Sequence, residues 1–92
     1  MAKIFVSINN DAHFRRVKYD RIIAVDDENK IILDKVRGDI CCYENRTIAH
    51  QELIKNVIDW LALNKVSACS EDIKFLSEKE VNEKAKEIKS HK

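Results

Sequence analysis

Hydrophobic and polar residues alternate along the first half of the chain with the two-residue period of β-strands. Residues 3–8 predict one strand. Residues 15–36 contain two β-rich runs on either side of the turn-forming residues 26–29, Asp-Asp-Glu-Asn, and we interpret them as a long β-hairpin. Residues 37–39 contain the only glycine and predict a second turn, after which residues 40–43 predict a fourth strand. Because the turns are short, sequential pairing predicts an antiparallel meander.

The hairpin has an expected register. With residues 26–29 in the loop, Ile23 lies opposite Ile32, and Arg21 lies opposite Asp34. Such an opposite-charge pair stabilises a sheet by only about 0.2–1 kcal/mol. It nevertheless favours this register, because a slip of one residue moves every side chain to the other face.

A three- and four-residue spacing of apolar residues replaces this alternation in the middle of the chain. It predicts a central helix over residues 47–64, with Thr47 as its N-cap. Trp60 and Leu63 widen the apolar stripe, so we expect the helix to lie across one face of the sheet. Trp60 should then be at the margin of the core.

The final third of the chain contains a break in the helical pattern. The apolar residues of segment 71–76 are out of phase with those of residues 81–88, so this segment predicts a short strand or an irregular segment. Ser77 and Glu80 have the spacing of a capping box, which marks the start of a C-terminal helix ending near residue 89. The apolar stripe of this helix is narrow and consists of Val81, Ala85 and Ile88.

These elements predict one α+β domain spanning residues 1–92. Its sheet covers residues 3–45 and is a three- to four-stranded antiparallel β-meander packed against one central helix. The short additional strand or irregular segment and the C-terminal helix occupy residues 71–90. No apolar run approaches the ~20 residues of a membrane span, and the N-terminal apolar run is too short for a signal peptide. We therefore expect a cytoplasmic protein.

Apolar residues occur on both faces of the predicted hairpin. One face carries Ile22, Ala24, Ile31 and Leu33, and the other carries Ile23, Val25 and Ile32. A small antiparallel sheet usually has only one covered face, so something must cover the second. The C-terminal stripe is too narrow to do so alone. We therefore expect a protein partner, with a homodimer as the simplest case.

Charge does not favour nucleic acid or an anionic membrane, since the formal net charge is +1. All five arginines nevertheless lie in the first half of the chain, and arginine is enriched at protein interfaces. Residues 13–21 interleave cations with aromatic side chains, as single-stranded nucleic-acid-binding strands do. A charge-protected edge strand has the same composition, and the acidic residues nearby favour that interpretation.

Candidate chemistry is sparse. Cys41 and Cys42 are adjacent on a predicted strand, so their side chains leave opposite faces and are poorly placed to share a zinc ion. With Cys69 they are expected to be free, buried structural thiols. Asp20 and residues 28–30 have the acidic-x-lysine arrangement of metal-dependent nucleases, but turn formation explains residues 28–30 better. One glycine excludes a glycine-rich phosphate loop. We therefore expect no enzyme, no metal and no cofactor.

The sequence thus predicts a non-enzymatic protein–protein interaction module. Its Ile- and Asn-rich composition with little Gly and no Pro is common in phages and mobile elements. On that ground we expect a phage accessory protein or a mobile-element protein that acts as an inhibitor of a host enzyme or defence complex. The alternative is a single-stranded nucleic-acid-binding protein that uses residues 13–21. The predicted partner-binding residues are Arg15, Arg16, Lys18, Tyr19, Arg21, Ile22, Ile31 and Leu33.

Overall fold

The fold is a four-stranded mixed sheet with one helix on each face. A computed structural model describes residues 2–11, 16–42 and 50–90. Strands β1 and β2 pair antiparallel, as do β2 and β3, whereas β4 lies parallel to β1, giving the order β3-β2-β1-β4. The elements are β1 (Lys3–Asp11), β2 (Arg16–Val25), β3 (Ile31–Cys42), α1 (His50–Leu63), a 3-10 turn (Ser70–Asp72), β4 (Ile73–Phe75) and α2 (Glu78–Ser90).

The predicted α+β class is confirmed, with a correction to the sheet. The sequence predicts an antiparallel meander, but the fourth strand is β4, which follows both the hairpin and α1 and pairs in parallel. The segment 71–76, expected as a short strand or irregular, contains the end of the 3-10 turn and β4. Neither helix of the described ranges is long and apolar enough to cross a membrane.

Strand β3 is a single strand of 12 residues where the sequence predicts two strands and a turn. The predicted turn at residues 37–39 is wrong, and residue 43 lies outside the described residues. The left-handed backbone is at Arg37, with φ 51°, and not at Gly38. Gly38 is required for another reason, because a Cβ at this position would lie 2.3 Å from Tyr19 Oη. The missing side chain leaves room for the Tyr19 ring.

The β2–β3 hairpin closes between Asp26 and Lys30, so its loop is residues 27–29, one residue shorter than the predicted loop 26–29. Asp26 N–H donates to the carbonyl oxygen of Lys30 at 2.9 Å, and Asn29 N–H donates to that of Asp26 at 3.0 Å. Asn29 has a left-handed backbone with φ 62°, which completes the three-residue hairpin pattern of a turn followed by a left-handed residue. The Asp26 carboxylate also accepts the N–H groups of Glu28 and Lys30 at 3.0 and 2.8 Å.

A β-bulge beside this loop shifts the register. Ile32 has no partner on β2, and Ile23 pairs with Asp34, so the predicted pairing of Ile23 with Ile32 is wrong. The bulge also separates two residues that strict alternation puts on one face. Ile31 packs under α2, whereas Leu33 packs under α1.

Helix α1 covers one face of the sheet, as predicted, and lies within the expected range 47–64. The position of the predicted cap Thr47 lies outside the described residues. Leu63 is 84% exposed, so its assignment to the apolar stripe is wrong. The helix ends in a Schellman motif, in which Lys65 has φ 64° and Val66 N–H donates to the Leu61 carbonyl oxygen at 2.8 Å. The buried cluster on this face consists of Ile4, Val6, Tyr19, Ile22, Ala24, Val57, Leu61, Val66 and Ile73.

Helix α2 covers part of the opposite face. The predicted capping box is confirmed, because Glu80 N–H donates to Ser77 Oγ at 3.2 Å and Ser77 N–H donates to Glu80 Oε1 at 3.4 Å. The stripe that the sequence judges too narrow is buried, with Val81 fully inaccessible. It packs in a cluster made of Phe5, Ile23, Val25, Val81, Ala85 and Ile88. An uncovered apolar sheet face is therefore no longer a reason to expect a dimer.

Candidate protein-binding surface

The outer side of β3 is one of the two edges of the sheet. This strand ends the sheet order and pairs with β2 along one side, so its other side has no strand partner among the described residues. An edge strand presents unpaired N–H and C=O groups to another chain. Ile32 and Val36, two large apolar residues of this strand, are 50% and 58% exposed. We name residues 31–37 the β3 edge.

Charged residues interrupt this apolar surface. Lys35 and Arg37 are both exposed and lie on either side of Val36. Charge, a bulge and an irregular backbone are three devices that limit indiscriminate pairing of an edge strand. The bulge at Ile32 and the left-handed Arg37 leave a regular stretch between them, so pairing with another strand is restricted to that short segment.

Beyond the reach of α2, three polar residues lie side by side across the sheet. Asn9 pairs with Lys18, and Lys18 pairs with Asp39, so the three side chains share a face. The neighbouring Tyr19 belongs to the cluster under α1, which places Lys18 on the α2 side. These residues line a cavity of ≈ 350 Å³ next to the β3 edge, which we name the polar cavity.

The polar cavity is electrically balanced. Its lining contains two cations, Lys18 and Arg37, and two carboxylates, Asp20 and Asp39. Asp20 has no partner on β1, because the register there skips this residue, and its carboxylate accepts a hydrogen bond from Ser7 Oγ at 3.1 Å. Bulges of this kind redirect side chains and are frequent beside functional sites. A balanced set of charges suits polar protein groups better than a polyanion.

Arg21 is held within the protein. Its Nε and Nη2 donate to the two carboxylate oxygens of Asp34 at 3.0 and 2.8 Å, and its Nη1 donates to Asn82 Oδ1 at 2.9 Å. Lys89 Nζ lies 3.7 Å from the same carboxylate. The hydrogen bonds from Arg21 lower the pKa of Asp34, and the positive charge of Lys89 lowers it further. The hydrogen bonds to Asp34 in turn raise the pKa of Arg21. This network joins β2 and β3 to α2.

Tyr19 is also a structural residue. Its ring packs edge-on against Trp60, with centroids 5.0 Å apart and planes at 64°, and Trp60 lies at the margin of the core as predicted. Burial raises the pKa of the Tyr19 hydroxyl, and the charge of Asp39 adds to the effect. A buried ring offers no platform on which a nucleic-acid base could stack.

The other predicted partner-binding residues are distributed between core and surface. Ile22 is completely buried under α1, so we remove it from the candidate surface. Lys18 is half-buried and lines the polar cavity. Arg15 lies outside the described residues, and Arg16 is described only by its backbone, which pairs with Asp11 and Cys42. Ile31 and Leu33 are half-buried on opposite faces, so they do not form one surface.

Sequence reasoning missed the two large apolar residues that are exposed on the strand, Ile32 and Val36. It groups Ile32 with Ile23 and Val25 on one apolar face and treats Val36 as the end of the hairpin arm. The bulge that exposes Ile32 leaves no sequence signal. Val36 would have given a signal if the register had been known. Its cross-strand partner is the polar residue Arg21 and not an apolar residue.

The described residues of the nuclease-like arrangement, Asp20, Glu28 and Lys30, do not form one cluster. Within residues 2–11, 16–42 and 50–90, no group of three or more His, Cys, Asp and Glu residues is placed to hold a metal ion. Glu28 and Lys30 form an ion pair of 3.6 Å at the exposed hairpin tip, whereas Asp20 lies in the interior of β2.

The expectation of buried thiols is wrong for Cys69. This residue is exposed because it precedes the 3-10 turn, where its N–H donates to Asp72 Oδ2 at 3.0 Å. The side chains of Cys41 and Cys42 lie outside the description, so the expectation for them is unchanged.

Comparison with known protein families, curated proteins and solved structures found no significant match to this chain.

Proposed function

We propose that this chain is a non-enzymatic protein-binding module that receives a β-strand of its partner along the β3 edge. The observation that carries the proposal is the exposure of Ile32 and Val36 on an edge strand of 12 residues. In strand addition, backbone hydrogen bonds supply affinity, and alternate side chains supply specificity. Both components are available on this edge.

The polar cavity supports the same proposal. It shares Arg37 with the β3 edge, and its two cations and two carboxylates lie on β2 and β3 next to one end of that edge. Polar groups at the rim of an apolar contact fix orientation more than they add affinity. We assign the apolar contact to Ile32 and Val36 and the orienting contacts to Lys18 and Arg37.

Single-stranded nucleic-acid binding is the less favoured alternative. It requires a positive groove with exposed aromatic rings, whereas the cations of the polar cavity are matched by Asp20 and Asp39 and the Tyr19 ring is buried. Binding to a mixed oligonucleotide that weakens steeply with salt would favour this alternative, because phosphate contacts release counterions. The cytoplasmic location and the role as a phage-encoded inhibitor remain predictions.

A photo-crosslinking amino acid at position 36 tests the proposal. The matched control carries the same amino acid at position 63, since Leu63 is also a large exposed apolar residue but lies on α1. In an extract of the source cells, position 36 should give an adduct of defined mass that excess wild-type protein suppresses and the Val36→Lys variant does not. Equal adducts at both positions, or equal suppression by both competitors, would contradict the proposal.

A further inference from the structure

We infer that the strand received by the β3 edge comes from a second copy of this chain, paired antiparallel about a two-fold axis at Asp34. In this arrangement Ile32 of each copy contacts Val36 of the other. The inference rests on the proposed function and names its partner. A two-fold contact uses the same patch on both copies, so the patch must be complementary to itself.

The exposed residues of the β3 edge meet this requirement. Val36 pairs with Arg21, which donates to Asn82 of α2, and Asp34 lies near Lys89 of α2, so both lie on the α2 side of the strand. Leu33 packs under α1, so alternation from Leu33 places Ile32 on the α2 side as well, and the bulge sets the consecutive residues Ile31 and Ile32 on one face. Ile32 and Val36 are therefore equally distant from Asp34 along one face, which makes this row symmetric about Asp34.

The neighbouring registers are less favourable. The regular stretch of β3 lies between the bulge at Ile32 and the left-handed Arg37, so the axis must fall within it. An axis at Lys35 sets Val36 opposite Asp34 of the other copy, so the two exposed apolar residues do not meet. An axis at Val36 places Lys35 opposite Arg37, and like charges directly opposite each other destabilise a sheet.

Apolar coverage excludes the remaining register, with its axis at Leu33. In that register Val36 lies opposite Lys30 of the other copy, next to its hairpin loop, and Ile32 lies opposite Asp34. Neither exposed apolar residue then has an apolar partner. Among the four positions of the regular stretch, only Asp34 brings both exposed apolar residues of one copy onto those of the other. It also places Lys35 opposite Leu33, where the lysine stem can cover a half-buried side chain.

The axis itself brings two Asp34 carboxylates together. Each is already bound by Arg21 at 2.8 Å and has Lys89 at 3.7 Å, and these opposite charges offset the repulsion between the carboxylates. The contact is nevertheless short compared with the ~1,200–2,000 Å² of a standard interface. We therefore expect a weak dimer that dissociates in the micromolar range.

Cysteine cross-linking tests the register. Ile32→Cys and Val36→Cys are introduced separately into a chain in which Cys41, Cys42 and Cys69 are replaced by serine, and circular dichroism confirms the fold of each variant. Opposite residues of an antiparallel pair have Cα atoms about 4.5–5.5 Å apart, within the range of a disulfide. A mixture of the two variants should form the disulfide dimer under mild oxidation at least about tenfold faster than either variant alone.

Sedimentation equilibrium of the unmodified chain gives an independent measurement. Val36→Lys should raise the dimer dissociation constant about tenfold or more, since it introduces a charge twice at the contact. Leu63→Lys is the matched control and should leave it unchanged. A monomer at several hundred micromolar, or cross-linking of each variant with itself as fast as in the mixture, would overturn the inference.

Failure of the inference is distinguishable from failure of the proposed function. A monomeric chain that still gives a defined photo-adduct from position 36 with another protein overturns the second-copy partner and supports the binding module. A monomeric chain without any adduct specific to position 36 overturns both. A disulfide dimer between the Ile32→Cys and Val36→Cys variants, together with a photo-adduct of twice the chain mass, supports both.

Discussion

Arg21 and Asp34 form a two-point ion pair although they are not opposite each other in the sheet. Arg21 pairs with Val36, and Asp34 pairs with Ile23, so the two charged residues are diagonal neighbours. The sequence predicts that they contact each other as directly opposite residues, but the actual register, shifted by the bulge at Ile32, does not set them opposite each other. The contact survives because diagonal neighbours are about 7–8 Å apart, which the long arginine side chain spans.

This ion pair should couple more strongly than an exposed one. Arg21 and Asp34 have side-chain exposures of 17% and 25% and share hydrogen bonds with α2, so a double-mutant cycle to alanine should give a favourable coupling of about 1 kcal/mol. The control cycle uses Glu28 and Lys30, whose side chains are 76% and 74% exposed. Urea denaturation measures both cycles, and equal couplings would show that the network adds no stability.

Acid should remove the contribution of Asp34. The Arg21 hydrogen bonds lower its pKa from the ordinary value of 3.8, so the folded state binds a proton less readily than the unfolded state. The stabilisation is therefore complete above the unfolded pKa and is lost as pH falls through the lower folded value. Asp34→Asn should flatten the fall in unfolding free energy below about pH 4, and Arg21→Met should flatten it as well. An unchanged slope in both variants would contradict this assignment.

Gly38→Ala should destabilise the protein by about 1–3 kcal/mol, the usual range for an overpacked site. The added Cβ would lie 2.3 Å from Tyr19 Oη, and the ring cannot move freely because Trp60 packs against it. Urea denaturation measures the cost in the wild type and in a Tyr19→Leu background. The cost should fall in that background; if it stays the same, the backbone of β3 and not the Tyr19 ring requires glycine.

Lys65→Gly should stabilise the protein by about 0.5–1 kcal/mol. Lys65 has φ 64° at the C-terminus of α1, a conformation that costs a side chain about 1 kcal/mol and glycine little. The opposite control is Lys55→Gly inside α1, which should destabilise by about 1 kcal/mol. Thermal unfolding of the two variants should therefore move in opposite directions from the wild type.

Local signals explain what the sequence could predict. The capping box of Ser77 and Glu80 and the apolar spacing of α1 depend on residues within one or two helical turns, so the sequence contains them whole. The need for glycine at position 38 depends instead on Tyr19, a residue of another strand, which occupies the space above Gly38. Nothing near Gly38 in the sequence indicates this contact.

The candidate surface was harder to predict from the sequence for the same reason. An apolar residue on a strand is ordinarily assigned to the core, but Ile32 lies in a bulge beside the hairpin loop and is 50% exposed. The parallel pairing of β4 with β1 also depends on residues far apart in the chain. Patterns of apolar residues predict which elements exist, and non-local packing decides which of their residues remain exposed.

The cover provided by α2 can be removed by one substitution. Val81 is fully buried in the cluster that includes Phe5 and Ile23, so Val81→Asp places an unpaired charge in an apolar site. Hydrogen exchange should show loss of protection in α2 before loss in α1, because few other apolar residues hold α2. Lys86→Asp is the exposed control on the same helix and should change stability by no more than about 0.5 kcal/mol.

Release of α2 should also create a new kind of self-association. Phe5, Ile23 and their neighbours then form an exposed apolar patch, which soluble monomers seldom tolerate. Association of the Val81→Asp variant should therefore rise with protein concentration and resist Val36→Lys, since it uses the sheet face and not the β3 edge. If Val36→Lys abolishes association in the Val81→Asp background, the sheet face under α2 does not self-associate when it is exposed. The β3 edge would then account for all self-association of the chain.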